Sequence, residues 1–344
     1  MKQVTLAMLG FGNVGRAFVH LIQDKQAMLE KDFNLDLIVT GILTGHHGAA
    51  IDSAGINLTR ALELAENGQS LDTLSSQPAP ANGVDFIYAC SAGVMLETTP
   101  VNQYTGQPAI SHLQAALNKG MHAITANKGP VVHAYAELTR QAAAQGKRFL
   151  FEAAVMDGAP IFSLFRGPLP AIELQGFQGI LNSCTNLLLE RMANGESFDA
   201  AVDYARSIGI AETDPSADVD GWDAAIKVAA LSTVLMGIPL TPQQVDREGI
   251  RGITPQMIAE ARAAGERWKL VCKARRRGGQ ILEARVRPER VSPDSPLYSI
   301  GGTSSYVQFE TDVLPGLGIV ESNPGPQTTA YGLLADLINA LRKQ

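Results

Sequence analysis

An apolar run from Val4 to Leu9 ends in Gly10-Phe11-Gly12-Asn13-Val14-Gly15. Apolar residues then recur at Val14, Phe18, Leu21, Ile22, Met28 and Leu29, close to a 3.6-residue period. A glycine motif on its own says little; between a strand and a helix it predicts a specific turn. Gly10 permits the tight bend, Gly12 lets the backbone approach a pyrophosphate, and Gly15 lets helix and strand pack closely. The helix start offers amides and a positive dipole end to phosphates. Gly10, Gly12, Asn13, Val14 and Gly15 are therefore the first cofactor-binding candidates. A glycine-rich turn without a ligand is the alternative. The motif predicts an α/β fold opening with a Rossmann-type doubly wound parallel sheet.

The chain keeps that rhythm. Leu35 to Leu43 reads as the second strand, followed by Thr44-Gly45-His46-His47-Gly48. A cofactor without a 2′-phosphate usually meets an acid here. None is present, which points to NADP over NAD, with Thr44 and His46 near the phosphate; no arginine is present either. Histidines in an exposed turn are the plainer reading. Residues 51–82 read as a helix and a loop with Pro78 and Pro80. Val84 to Ala89 reads as a strand ending in Cys90 and Ser91, small residues where such sheets bind ligands. A helix from Ser111 to Asn118, capped by Gly120, leads to a strand at Met121–Thr125 and then to Lys128. A lysine at a strand's C-terminal end can bind an anion or move protons; a solvated turn lysine is the alternative. A helix over 134–145 and a strand from Arg148 to Ala154 complete an alternating pattern that implies a parallel sheet.

Beyond residue 155 the pattern changes. A short helix at Ile161–Phe165, a strand at Gln175–Leu181, a helix through Met192 and another at Phe198–Ile208 lead to Ala211–Lys227. This stretch carries Glu212, Asp214, Asp218, Asp220 and Asp223 ahead of Lys227. Asp220 is placed to cap a helix running to Met236, ended by Gly237 and Pro239. Asp223 and Lys227 share one helix face. The helix then reads V-A-A-L-S-T-V-L-M, apolar nearly all round, which implies burial. The pair is either a functional group or a surface salt bridge of about 0.3–0.5 kcal/mol. Strands at Arg267–Ala274 and Gln280–Val286 flank a basic turn, Arg275 to Gly279. A last strand at Tyr306–Glu310 precedes a helix over Thr328–Leu341 that packs back on the first domain. The expected domains are 1–152, joined by a C-terminal helix 324–344, and an α+β domain over 153–323.

Composition narrows the partners. A chain of 344 residues supports two cores. A net charge of −6 argues against nucleic acid. No apolar run approaches the ~18 residues of a membrane span, and the N-terminus does not read as a secretion signal. Cys90, Cys184 and Cys272 are odd in number and lack a C-x-x-C, which suits reduced thiols in a cytosol and no zinc site.

The motifs together resemble the homoserine dehydrogenase family over nearly the whole chain. The resemblance rests on G-F-G-N-V-G, on A-L-x-x-G-x-H-x-x-T-A-N-K-G-P ending at Pro130, and on E-A-x-V from Glu152. It also rests on G-I-L-N from Gly179, A-E-x-D-P-x-x-D-x-D-G-x-D-A-x-x-K ending at Lys227, and T-A-Y-G-L-L-A-D-L. It implies hydride transfer between NAD(P) and L-homoserine, giving L-aspartate 4-semialdehyde, in a cytoplasmic homodimer acting on a small amino acid. It implies a short member without a regulatory domain. Lys128 and Lys227 become the acid/base candidates. Asp223 bonds the reacting oxygen or orients Lys227, Glu212 holds the ammonium, and Asp218 supports it. Burial lowers a lysine's proton affinity and neighbouring carboxylates raise it, so sequence leaves that balance open. A monovalent cation near the nucleotide would be held at Glu152 and Val155.

Two places depart from the family pattern. Met156-Asp157-Gly158 stands where the family has a Gly-Gly turn, and Ser183-Cys184 where it has Gly-Thr. Ser183 and Cys184 thus become substrate-binding candidates. Extra bulk or charge there keeps open a different small hydroxy or amino acid as substrate. A non-catalytic NAD(P)-binding homologue is the third reading.

Overall fold

The computed structural model describes residues 1–78, 80–278 and 282–342. The chain divides into two compact units, Met1–Pro160 with Gly325–Gln344, and Ile161–Pro324.

The first unit begins with β1 (Lys2–Leu9), α1 (Asn13–Asp24), α2 (Gln26–Phe33), β2 (Leu35–Leu43), β3 (Ala49–Ile51), α3 (Leu58–Glu66) and α4 (Gly83–Ala89). It continues with β4 (Val94–Glu97), α5 (Ala109–Asn118), β5 (His122–Thr125), α6 (Lys128–His133), α7 (Tyr135–Ala144) and β6 (Phe149–Leu150). Its strands run β3-β2-β1-β4-β5-β6. All neighbours are parallel except the hairpin of β2 and β3. Val4, Leu6 and Met8 of β1 share one apolar core with Phe18 and Ile22 of α1.

The second unit holds α8 (Phe162–Arg166), β7 (Leu174–Ile180), α9 (Ser183–Ala193), α10 (Phe198–Ser207), α11 (Ser216–Val219) and α12 (Trp222–Leu235). It then adds β8 (Asp246–Arg247), α13 (Pro255–Ala263), β9 (Arg267–Arg276), β10 (Leu282–Val291), β11 (Ser305–Thr311) and β12 (Leu317–Glu321). The sheet order is β12-β11-β7-β9-β10-β8, and only β8 pairs in parallel. Helices α9 and α12 pack on β9. The chain then returns to the first unit as α14 (Pro326–Leu341), whose Leu333, Leu334 and Leu337 complete that unit's core.

Several expectations from sequence are corrected. The single helix after the glycine motif is two, because Lys25 leaves helical geometry (φ −99, ψ 7). Residues 84–89 form helix α4, not a strand: the Asn82 side chain accepts from the amides of Val84 and Asp85 and nucleates a turn. The strand lies later, at Val94–Glu97. Strand β6 stops at Leu150, and Glu152–Ala154 is a 3₁₀ turn. Tyr306–Glu310 is not the last strand, since β12 pairs antiparallel with β11. Gly279 of the expected basic turn, the strand start at Gln280 and Ile281, Ala79 and the last residues 343–344 lie outside the described residues.

Candidate active site

In the first unit the glycine loop has the geometry its spacing predicts. Gly10 sits at φ +104, a region a side chain avoids, and a Cβ there would lie 2.5 Å from Thr98 Oγ1. A Cβ on Gly15 would lie 2.7 Å from the Gly10 carbonyl. Gly12, the N-cap of α1, has φ −78 and open space where its Cβ would project. Asn13 and Val14 follow as the first helical residues, their amides at the helix start. A bent backbone, an open face and a long helix's N-terminus together fit a pyrophosphate.

Thr44 closes β2. Its hydroxyl bonds the Gly48 carbonyl (3.2 Å) and the His47 amide, so it shapes the turn, while His46 is exposed. An acid does reach this turn, from elsewhere in sequence. Asp72 Oδ1 accepts from the Ala49 amide (2.9 Å) and lies against Gly48.

Cys90 and Ser91 are corrected. They follow helix α4 and precede β4, so they lie at the N-terminal edge of the parallel strands, away from the glycine loop. Cys90 is wholly buried, and burial pushes its thiol up to about 12. Its carbonyl is one of three that accept from Lys119 Nζ at the end of α4. The ligand-facing edge of β4 is instead Glu97-Thr98-Thr99, which sequence analysis missed because the strand was misplaced. Thr98 Oγ1 donates to the Gly10 carbonyl (3.1 Å). Glu97 is fully buried; its carboxyl accepts from Thr125 Oγ1 (2.5 Å), from the Thr99 amide (2.8 Å) and from the Thr99 hydroxyl. Burial raises its proton affinity above the carboxylate range, against those bonds.

Lys128 is the first residue of α6, separated from β5 by Ala126 and Asn127, and is half-buried. Asn127 caps the helix by accepting from the Gly129 amide (2.9 Å) and donates to the Thr99 and Pro100 carbonyls. Asn127 is a second missed residue; the polar pair after an apolar strand was its signal.

Glu152 and Val155 are buried. The Glu152 amide donates to Asp336 Oδ2 of α14 (2.6 Å). Asp157 turns its carboxylate to the start of α14, accepting from the Gly325 amide (2.9 Å) and Thr328 Oγ1 (2.9 Å). Its role there is that of a helix cap. Asp157→Ala should cost about 1 kcal/mol and lower Tm by about 2–4 °C, as read by calorimetry, while turnover stays near wild type. A large loss of turnover at unchanged Tm would contradict this.

In the second unit the acid–lysine group assembles around the corner between β7 and α9. Lys227 Nζ donates to the Leu181 carbonyl (2.6 Å) and lies 3.2 Å from Asp223 Oδ2. The side chains of Lys227 and Asp223 are only 15% and 21% exposed, which removes the surface salt-bridge reading. Asn182 Nδ2 donates to Asp218 Oδ1 (2.6 Å) and Asp223 Oδ2 (2.9 Å). The turn is legible in sequence; the role of this side chain is not. Cys184 is buried beside Asp218; burial, then the Asp218 and Asp223 carboxylates, push its thiol well above the usual range. Ser183 Oγ lies 3.2 Å from Ser305 Oγ. Glu212 is exposed on the loop between α10 and α11, and none of the bonds above joins it to the cluster.

Asp220 does not cap α12. Gly221 does so at φ +78, and Asp220 ends α11, with its carboxylate on Arg251. No group of three or more His, Cys, Asp and Glu able to hold a metal occurs among the described residues. No helix among them is long and apolar enough to cross a membrane.

A Rossmann-like unit with a nucleotide-shaped glycine loop, joined in one chain to a unit holding a part-buried acid–lysine cluster, defines an NAD(P)-binding oxidoreductase class. Family models described as "Homoserine dehydrogenase, NAD binding domain" and "Homoserine dehydrogenase" match residues 10–152 and 160–338. The chain is 35% identical to a homoserine dehydrogenase of Methanocaldococcus jannaschii, covering 97% of each chain. It is 33% identical to an NAD(+)-dependent homoserine dehydrogenase of Pseudomonas canavaninivorans, covering 100% of this chain and 99% of the relative. Among solved structures, a putative homoserine dehydrogenase from Archaeoglobus fulgidus superposes with a TM-score of 0.85 at 26% identity, covering 98% of both chains. A hyperthermophilic archaeal homoserine dehydrogenase in complex with NADPH gives 0.82 at 26% identity, again covering 98% of both. The chain belongs to the homoserine dehydrogenase family, oxidoreductases acting on a CH–OH group.

Proposed function

We propose that the protein interconverts L-homoserine and L-aspartate 4-semialdehyde with a nicotinamide cofactor. The observation that carries this reading is Lys227, low in exposure and bonded by both the Leu181 carbonyl and Asp223. The cofactor supplies the hydride chemistry. An alcohol that loses hydride must also lose a proton, so a proton-transfer group must reach its oxygen. Lys227 fills that role, Lys128 is the second acid/base group, and Asp223 orients Lys227. Glu212 and Asp218 hold the substrate ammonium, and Ser183 and Cys184 complete the substrate set. The first unit then serves as the dinucleotide-binding domain and the second as the substrate-binding and dimerisation domain of a cytoplasmic homodimer. Exposed Val313, Leu314 and Val320 on the second unit support the dimer. A buried carboxylate at Glu152 and the Val155 carbonyl suit a hard monovalent cation held by oxygen atoms.

The finer cofactor reading is NADP, because β2 closes on Thr44 and His46 without an acidic side chain. One observation favours NAD instead: Asp72 against Gly48 sets a negative charge beside that turn. Absorbance of the reduced nicotinamide, followed with L-homoserine and each oxidised cofactor, tests both levels. Growth with neither cofactor, on folded protein, overturns the function. If Asp72 governs the choice, Asp72→Asn raises kcat/KM with NADP by about tenfold relative to NAD, a difference of ~1.4 kcal/mol. An unchanged ratio returns the choice to Thr44 and His46.

A further inference from the structure

We infer that Asn182 is a positioning residue of the reaction: one neutral amide holds Asp218 and Asp223 in place and, with the Leu181 carbonyl beside it, fixes Lys227. The inference rests on the function proposed above and names how that site is kept in register.

Asn182 is 4% exposed and is the N-cap of α9. Its Oδ1 accepts from the Thr185 amide (2.8 Å) and from Thr185 Oγ1 (2.8 Å). Those bonds set the amide's orientation, since a flipped amide would face the Thr185 N–H with another donor. Nδ2 must then point the other way. A primary amide has two N–H bonds, and both are taken, one by Asp218 Oδ1 and one by Asp223 Oδ2. The same Asp223 oxygen is the one nearest Lys227 Nζ. Leu181 and Asn182 are consecutive, so one corner gives an acceptor to the lysine and a donor to each acid. The corner is itself fixed, because Leu181 and Asn182 bridge β7 to α9.

The chemistry explains the residue type. Two carboxylates gathered on one point repel, and each favours protonation of the other. Hydrogen bonds to the charged forms oppose that. A lysine or arginine at 182 would add a charge that competes with Lys227 for Asp223. An aspartate would add a third carboxylate and remove both donors. Asparagine supplies two donors and no charge. The titratable groups facing it are Asp218 on α11, Asp223 and Lys227 on α12, and Cys184 on α9; Cys272 on β9 faces Asp223 and Lys227 from the sheet.

Asn182→Ala and Asn182→Asp in the full chain test this, with kcat, KM for L-homoserine, reduced-cofactor affinity by fluorescence, and rate against pH. Asn182→Ala should lower kcat/KM by about 10- to 100-fold, with cofactor affinity unchanged. Asn182→Asp should be as poor at alkaline pH and recover as pH falls, because a protonated carboxyl regains one donor. A merely structural role would lower Tm and all constants together, with the same pH profile in both variants; that result overturns the inference, as does wild-type kcat/KM in Asn182→Ala, or in Asn182→Asp at alkaline pH. If the wild-type chain turns over no L-homoserine, the proposed function fails on its own. Carboxyl NMR titration then decides the Asn182 reading: Asp218 and Asp223 titrating at higher pH in Asn182→Ala supports it, and unchanged titrations overturn it.

Discussion

Lys227→Ala is expected to lower kcat by about 10²- to 10⁴-fold, or roughly 3–5 kcal/mol of activation free energy. The lysine has low exposure and two acceptors, so its ammonium is held at one place rather than sampling solvent. Removing it leaves Asp223 still bonded to Asn182, so the corner keeps part of its order. Helix α12 should persist, because its packing rests on Ala224, Ala225, Ile226 and the apolar residues from Val228 onward. Reduced-cofactor affinity, read by fluorescence, should stay near wild type, since Gly10 to Gly15 belong to the other unit. Unaltered kcat, or a loss of cofactor binding as large as the loss of kcat, would assign Lys227 a structural role.

The glycine loop gives the second large effect, and it separates folding from binding. Gly10→Ala forces a side chain into a left-handed conformation at about 1–2 kcal/mol. Its Cβ also meets the Thr98 side chain and carbonyl at 2.5 and 2.7 Å, an overpacking of about 1–3 kcal/mol. The variant should melt lower by several degrees, at about 2–4 °C per kcal/mol, and bind cofactor poorly. Gly12→Ala is the informative contrast. Its backbone is already at φ −78 and a Cβ there meets nothing within 4 Å. It should melt like wild type, yet weaken cofactor affinity by about tenfold or more, since a pyrophosphate approaching that backbone would meet the methyl. Titration by fluorescence alongside calorimetry reads both quantities. Wild-type affinity in Gly12→Ala would place the pyrophosphate elsewhere.

The parts legible in sequence were those set by local rules. The limits of β2 and the end of α12 follow from apolar runs closed by turn residues, and Asp223 and Lys227 from helical spacing. Short elements were harder. The run at Val84 was apolar enough for a strand, and only the Asn82 cap decides it as helix α4. Strand β3 has three residues and exists by pairing back on β2. Asp220 has the chemistry of a helix cap, but Arg251, thirty-one residues on, competes for it. The missed site residues, Asn182, Glu97, Asn127 and Asp72, each bond partners 23 to 41 residues away. Such contacts leave no periodicity to read. Asp157 is the converse: an odd residue in a family motif, explained by a helix start 168 residues later.

The return of α14 has a consequence for biosynthesis on the ribosome. The first unit's core includes Leu333, Leu334 and Leu337, yet its strands and glycine loop are translated before the whole of the second unit. The nascent first unit therefore lacks part of its core until α14 is translated, while Ile161–Pro324 already holds all its own strands. Emergence of α14, rather than of the glycine loop, is the moment at which the first unit can complete its core.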